Sequence, residues 1–221
     1  MARIARVVGP GIPHHVTQRG NRRQETFLCA EDYQACIYLM REWCGYWKVE
    51  VWAYCLMPNH AHVIAVPATE EGFRRAIGGA HRRSTWRVNF GEGGRGHLWQ
   101  GQFASFPLDE RSLQAAARYI EQNPVRAGLA GTPWEYPWSS AAAHVTRRDD
   151  ALITVAPLLA LVGNWTDFLA TGAPEDEVKE LRRHERSGRP LGREPFVAAI
   201  EGRLGRTLRR GKPGPKRGRP A

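Results

Sequence analysis

Residues 54–67 read YCLMPNHAHVIAVP. Two apolar runs flank Pro58-Asn59, a dipeptide that favours a turn, so the stretch predicts a β-hairpin. VEVWAYCLMP is then one strand and HAHVIAVP the next. Side chains alternate faces along a strand, so His60 and His62 point the same way and Ala61 turns away between them. Two imidazoles side by side, where aliphatic residues would be cheaper, form one edge of a candidate metal site. The pair needs context, because eight histidines in 221 residues would make an H-x-H about 0.3 times by chance.

Outward from the hairpin, PHHVTQRG (13–20) predicts a strand ended by Gly20-Asn21. A helix is expected over 30–48, where Cys36, Ile37, Met40, Trp43, Cys44 and Trp47 recur at helical spacing after Glu31 and Asp32. A second is expected over 70–90, weakened at Gly78-Gly79. HLWQGQFASFPL (97–108) alternates like a strand. DERSLQAAARYIEQNPVRAGL (109–129) reads as a long helix capped by Asp109 and ended or kinked at Pro124. The order β-α-β-β-α-β-α predicts an α+β fold, a ferredoxin-like antiparallel sheet with helices on one face. That core spans residues 1–145. A helical C-terminal extension, with APLLALV and PFVAAIEGRL among its helices, runs over 146–202, and a basic flexible tail over 203–221.

Composition bounds the function. The chain is 42% hydrophobic and 24% charged, which fits a folded globule. No apolar run of 18 residues and no signal sequence is present, so no membrane is expected. Cys29, Cys36, Cys44 and Cys55 lack C-x-x-C spacing and read as reduced thiols of a cytoplasmic protein. The net charge is +10, yet without the eight basic residues from Arg203 onward 24 basic residues face 22 acidic ones. Such a concentrated basic end suits a polyanion.

The chemistry gathers in RYIEQNP (118–124). Tyr119 and Asn123 are i and i+4, so one helix face carries a phenol and an amide oxygen together. A divalent cation on imidazole and oxygen donors suits Mg²⁺ or Mn²⁺, and would help a tyrosine attack a phosphodiester. Such an attack leaves a phosphotyrosine and a free 3′ hydroxyl, and it is reversible. The alternative is that His60 and His62 are strand-end histidines and Tyr119 a core tyrosine. Gln18, Arg19, Asn21, Arg22 and Arg23 in TQRGNRR suit base edges and phosphates. Arg126, with Arg82 and Arg83, could line the same groove. Trp99, Phe103, Tyr54 and Tyr136 read as core.

MPNHAHVIAVP, HLWQGQF, ARYIEQNPVRAGL and YPWSS together resemble the IS200-like single-tyrosine transposases. HHVTQRGN and SGRPLG move the resemblance toward the subgroup associated with bacterial repetitive extragenic palindromes. The resemblance places the family's metal-binding His-hydrophobic-His motif on His60 and His62 and its nucleophile on Tyr119. Asn123 stands where these enzymes often have Gln as a further ligand. It implies a single-stranded DNA substrate with a hairpin or palindrome, cleaved and rejoined through a 5′-phosphotyrosine. It also implies a bacterial, nucleoid-associated protein, monomeric like the palindrome-associated relatives where IS200 enzymes are dimers. Two rivals stand beside it. One is a domesticated protein that binds palindromes or structured RNA without cutting. The other is a zinc hydrolase, which would need an H-E-x-x-H or carboxylate partner that the sequence does not offer.

Overall fold

A computed structural model describes residues 4–91 and 96–209. The hairpin forms where Pro58-Asn59 allows it: β1 (His14–Arg19) precedes it, and β2 (Val49–Met57) and β3 (His60–Pro67) pair antiparallel across the turn. β3 pairs on its other side with β1, and β1 with β4 (Ala104–Pro107), giving the order β2-β3-β1-β4. All pairs are antiparallel, which is the ferredoxin-like arrangement. An irregularity between Val51 and Ala53 shifts the register of β2 by one residue. It lets Tyr54 and Leu56 share a core with Val49 and Val51 although their positions change parity.

Helices α1 (Ala30–Tyr46) and α2 (Glu70–Gly91) form the expected layer on one face, over Val16, Ala61, Val63 and Ala65. The opposite face, marked by Ile64, Cys55 and Phe106, takes α3 (Glu110–Glu121). After the short α4 (Asn123–Arg126), α5 (Ala141–Thr146) and then α6 (Ala156–Leu159), α7 (Trp165–Ala170) and α8 (Glu175–Ser187) of the extension continue that second layer, and α9 (Glu194–Leu204) packs in a separate small core with Val7. Leu158, Trp165, Leu169, Val178 and Leu181 bury themselves with Leu113 and Ile120 of α3.

Three expected elements differ in detail. The strand expected over 97–108 is reduced to Ala104–Pro107. Gly101 takes a positive φ of 70° and Trp99 turns inward to donate to the His81 carbonyl, so residues 97–103 leave the extended path. The helix expected over 109–129 stops at Glu121, because Pro124 has no N–H to give the Ile120 carbonyl. Asp109 caps it as expected, its Oδ1 accepting the Ser112 N–H at 2.8 Å. The basic tail expected from Arg203 starts as packed structure: Leu208 is buried with Val7 and Ile200, and Arg203 and Arg206 donate to the carbonyls of Pro10 and Ala5. Residues 210–221 lie outside the described residues. Among those described, no helix is long and apolar enough to cross a membrane.

Candidate active site

Tyr119 projects from α3 onto the sheet face that carries the histidines. Its ring centroid lies 5.5 Å from that of His62, nearly perpendicular to it. His60 and His62 face the same way, with ring centroids 5.0 Å apart. A third imidazole joins them. His15 in β1 lies two residues from Thr17, the direct partner of His62, so it shares the face. Its Nε2 is 3.0 Å from His62 Nδ1, and its ring centroid is 6.1 Å from that of Tyr119. From the extension, Glu185 of α8 brings Oε1 to 3.8 Å from His62 Nδ1.

The C-terminal end of α3, which carries the tyrosine, is fixed by a fully buried carboxylate. Glu121 accepts from Ser140 Oγ, lies 2.7 Å from His144 Nδ1, and accepts from Trp165 Nε1 at 2.7 Å. Two residues on, Asn123 is buried. Arg126 connects it to Tyr119: its guanidinium lies 4.3 Å over the phenol ring and donates to Asn123 Oδ1 at 2.7 Å. The amide oxygen expected as a metal ligand is therefore already accepting a charged hydrogen bond.

Burial sets the electrostatics. The pKa of His15 is pushed down to about 3 by burial. That of His60 falls to about 4 by burial and by the charges of Arg19 and Arg126. His62 is held well below the usual imidazole range by burial, then by His60 and His15 and the same two arginines. All three are neutral near pH 7, with lone pairs available. His62 and Glu185 accordingly make no ion pair. The Glu185 carboxyl is pushed up to about 7 by burial, opposed by Arg19, Arg182, Arg186 and Arg126. His15 Nδ1, Asn123 Nδ2 and Glu185 Oε1 are buried without a hydrogen-bond partner among the described residues. Nitrogens of His15 and His62 and a Glu185 oxygen all lie within 4.8 Å of one another. His60 and His62, neutral and facing the same way, offer nitrogen donors that fit a divalent cation, and the Glu185 carboxyl lies behind His62 at Nδ1.

The expected nucleic-acid residues divide. Arg19 is exposed at the end of β1, opposite His60 in the register. Asn21, Arg22 and Arg23 form a tight turn with Arg22 at φ 52° and Arg23 at φ 63°. The turn is fastened to the hairpin: Gly20 N–H donates to the Asn59 carbonyl at 2.8 Å, and Asn59 Nδ2 to the Arg23 carbonyl at 3.3 Å. A Cβ on Gly20 would collide with the Gln24 carbonyl, so only glycine fits. Gln18 is different. It is buried on the α1–α2 side of the sheet, the face away from Tyr119, and donates to the Gly101 carbonyl at 3.0 Å. Arg82 and Arg83 are exposed on α2, on the face away from Tyr119. Trp99 and Phe103 are core, as are Tyr54, bonded to Asp150, and Tyr136, bonded to the Leu56 carbonyl.

The family profile described as "Transposase IS200 like" matches residues 11–123, about half of the chain. A solved structure of a tyrosine transposase bound to a REP hairpin is similar, with a TM-score of 0.54 and 21% identity over 70% of this chain and 90% of that one. A protein from Deinococcus radiodurans R1, provisionally described as a transposase, gives a TM-score of 0.39 and 18% identity over 54% of this chain and 96% of its own. No curated protein sequence matches significantly.

Proposed function

Because the chain belongs to the IS200-like transposase family, we propose that it cleaves and rejoins single-stranded DNA through Tyr119, beside a hairpin or palindrome. The observation that carries this reading is the Tyr119 ring 5.5 Å from His62, on the face where the H-x-H pair projects. The fold-level likeness to a relative bound to a REP hairpin supports the choice of DNA partner. Tyr119 meets the histidines of its own chain, which favours a site complete in a monomer. The protein works in the bacterial cytoplasm, with the chromosome.

Tyr119 Oη attacks the phosphorus of the scissile phosphodiester. The phenol proton is lost as the O–P bond forms, and the departing 3′ oxygen takes up a proton. The tyrosyl phosphodiester keeps the bond energy, so a 3′ hydroxyl can attack it in turn and restore the strand. His60 donates its Nδ1 proton to Asn59 Oδ1 at 2.6 Å, which leaves Nε2 bare for a ligand. His60 and His62 would hold Mg²⁺ or Mn²⁺, and Asn123 would be a further donor once Arg126 released its oxygen. When bound, the cation polarises a phosphate oxygen and offsets its charge. Arg126, seated over the tyrosine ring, and Arg19, beside His60, offset the rest. Arg22, Arg23 and Asn21 extend the same surface toward the DNA.

The test is a denaturing gel with labelled single-stranded DNA carrying a hairpin, and Mg²⁺ or Mn²⁺. The wild type should form a covalent protein–DNA adduct that EDTA prevents. Tyr119→Phe should bind the DNA and form none. Binding without an adduct in the wild type would favour the silent, domesticated binder, and full activity in EDTA would remove the metal.

A further inference from the structure

His62 has two ring nitrogens, and only one can carry the proton in the neutral ring. To ligate through Nε2, the nitrogen that does not face His15 and Glu185, it must be protonated at Nδ1. A metal-binding imidazole needs an acceptor behind it to hold that tautomer. For His60 the acceptor is Asn59 Oδ1 at 2.6 Å. For His62 the hydrogen-bond neighbour among the described residues is another imidazole, His15 Nε2 at 3.0 Å. Two neutral imidazoles can share one proton in either direction, and one of the two arrangements leaves His62 useless as a ligand.

Glu185 removes that ambiguity. On α8, Val178, Leu181 and Glu185 follow the i, i+3, i+7 spacing of a core-facing stripe. The first two are buried aliphatics against α3, and the third position holds a carboxylate. Its Oε1 is buried, has no hydrogen-bond partner among the described residues and lies 3.8 Å from His62 Nδ1. Leaving a carboxylate oxygen unpartnered there costs stability unless something positive or proton-bearing faces it. We propose that Glu185, with His15, is the positioning pair behind His62: the carboxylate holds the proton on His62 Nδ1, so that Nε2 is presented to the metal. The pair rests on the proposed metal reading of His60 and His62. It adds that the C-terminal extension, beyond the family-matched residues 11–123, sets the metal affinity of the core.

The experiment has two readouts. In metal-free protein at pH 8, ¹⁵N NMR of the imidazoles reports which His62 nitrogen carries the proton. The wild type should show the Nδ1–H form, and Glu185→Gln and Glu185→Leu should shift the population toward Nε2–H. Mn²⁺ affinity, read by EPR of the free ion, should fall about tenfold or more in the same variants, the usual effect of losing a carboxylate behind a metal-bound histidine. A wild-type His62 already in the Nε2–H form, or variants with unchanged tautomer and affinity, would overturn the proposal. Lost affinity with an unchanged tautomer would overturn it in favour of Glu185 as a direct ligand. A wild type that binds no Mn²⁺ would sink the metal reading itself, and this inference with it.

Discussion

Arg22 and Arg23 sit at φ 52° and 63°, a region where a Cβ is crowded by its own backbone. Strain of this kind collects at ligand-facing loops, where surrounding bonds over-determine the backbone. Here those bonds are the ones between the turn and the Pro58-Asn59 hairpin. Replacing either arginine by glycine relieves about 1–2 kcal/mol of left-handed strain and gives back about 0.5–1 kcal/mol in chain entropy. Arg22→Gly and Arg23→Gly should therefore leave the urea midpoint unchanged or slightly higher, while weakening DNA binding. Each lost phosphate contact should lower the slope of log affinity against log salt by about 0.7. If both variants bind DNA normally, the turn is not a contact surface. At this scale the sequence was partly legible. Spacing alone placed His60 and His62 together. His14-His15 was half a signal: adjacent residues on a strand must face opposite sides, so one had to share the His62 face, but the register that chooses His15 comes from β1–β3 pairing. Gln18 and Arg19 illustrate the same parity, one buried and one exposed. Glu185 had no local signal, because nothing in its surroundings says which sheet face α8 will cover.

Helical periodicity gave α1 and α2 to within a few residues, and the turn dipeptide gave the hairpin. β4 was overestimated because Trp99 and Phe103 alternate like strand residues although they are anchors of an irregular loop. The glycine pair expected to weaken α2 shows what tertiary contact adds. Gly78 has nothing within 4 Å of a built Cβ, whereas a Cβ on Gly79 would run into the Trp43 ring of α1. One is a helix defect and the other is the point of closest approach of two helices. Gly78→Ala should stabilise the fold by up to about 1 kcal/mol through helix propensity. Gly79→Ala gains the same propensity but forces Trp43 to move, and such overpacking costs about 1–3 kcal/mol. The two alanine variants should therefore move the urea midpoint in opposite directions, or Gly79 should at least gain nothing. Equal gains would show that Trp43 yields freely and that α1 and α2 are not locked there.

Across the whole molecule, charge and packing divide the C-terminus at a different place from composition. The eight basic residues from Arg203 look like one tail in the sequence. In the fold the first three do structural work: Arg203 and Arg206 hold the N-terminal segment, and Arg209 pairs with Glu194 and Glu201. Leu208, 1% exposed, closes a small core with Val7 and Ile200. Composition cannot reveal this, because the partner strand of backbone lies nearly two hundred residues away. A truncation at residue 202 should thus destabilise the protein, on the order of the 2–5 kcal/mol of a deleted buried leucine, and would confuse lost folding with lost binding. Removing only residues 210–221 takes away five basic residues, Arg210, Lys212, Lys216, Arg217 and Arg219, and leaves that core intact. If all five touch phosphates of single-stranded DNA, the salt slope should fall by up to about 3.5, at about 0.7 each. Thermal unfolding should be unchanged, and adduct formation at saturating DNA should persist, since none of the proposed catalytic groups is lost. Unchanged affinity and slope would make the last twelve residues a passive appendage. A truncated protein that binds well but forms no adduct would instead tie those residues to the shape of the Tyr119 site.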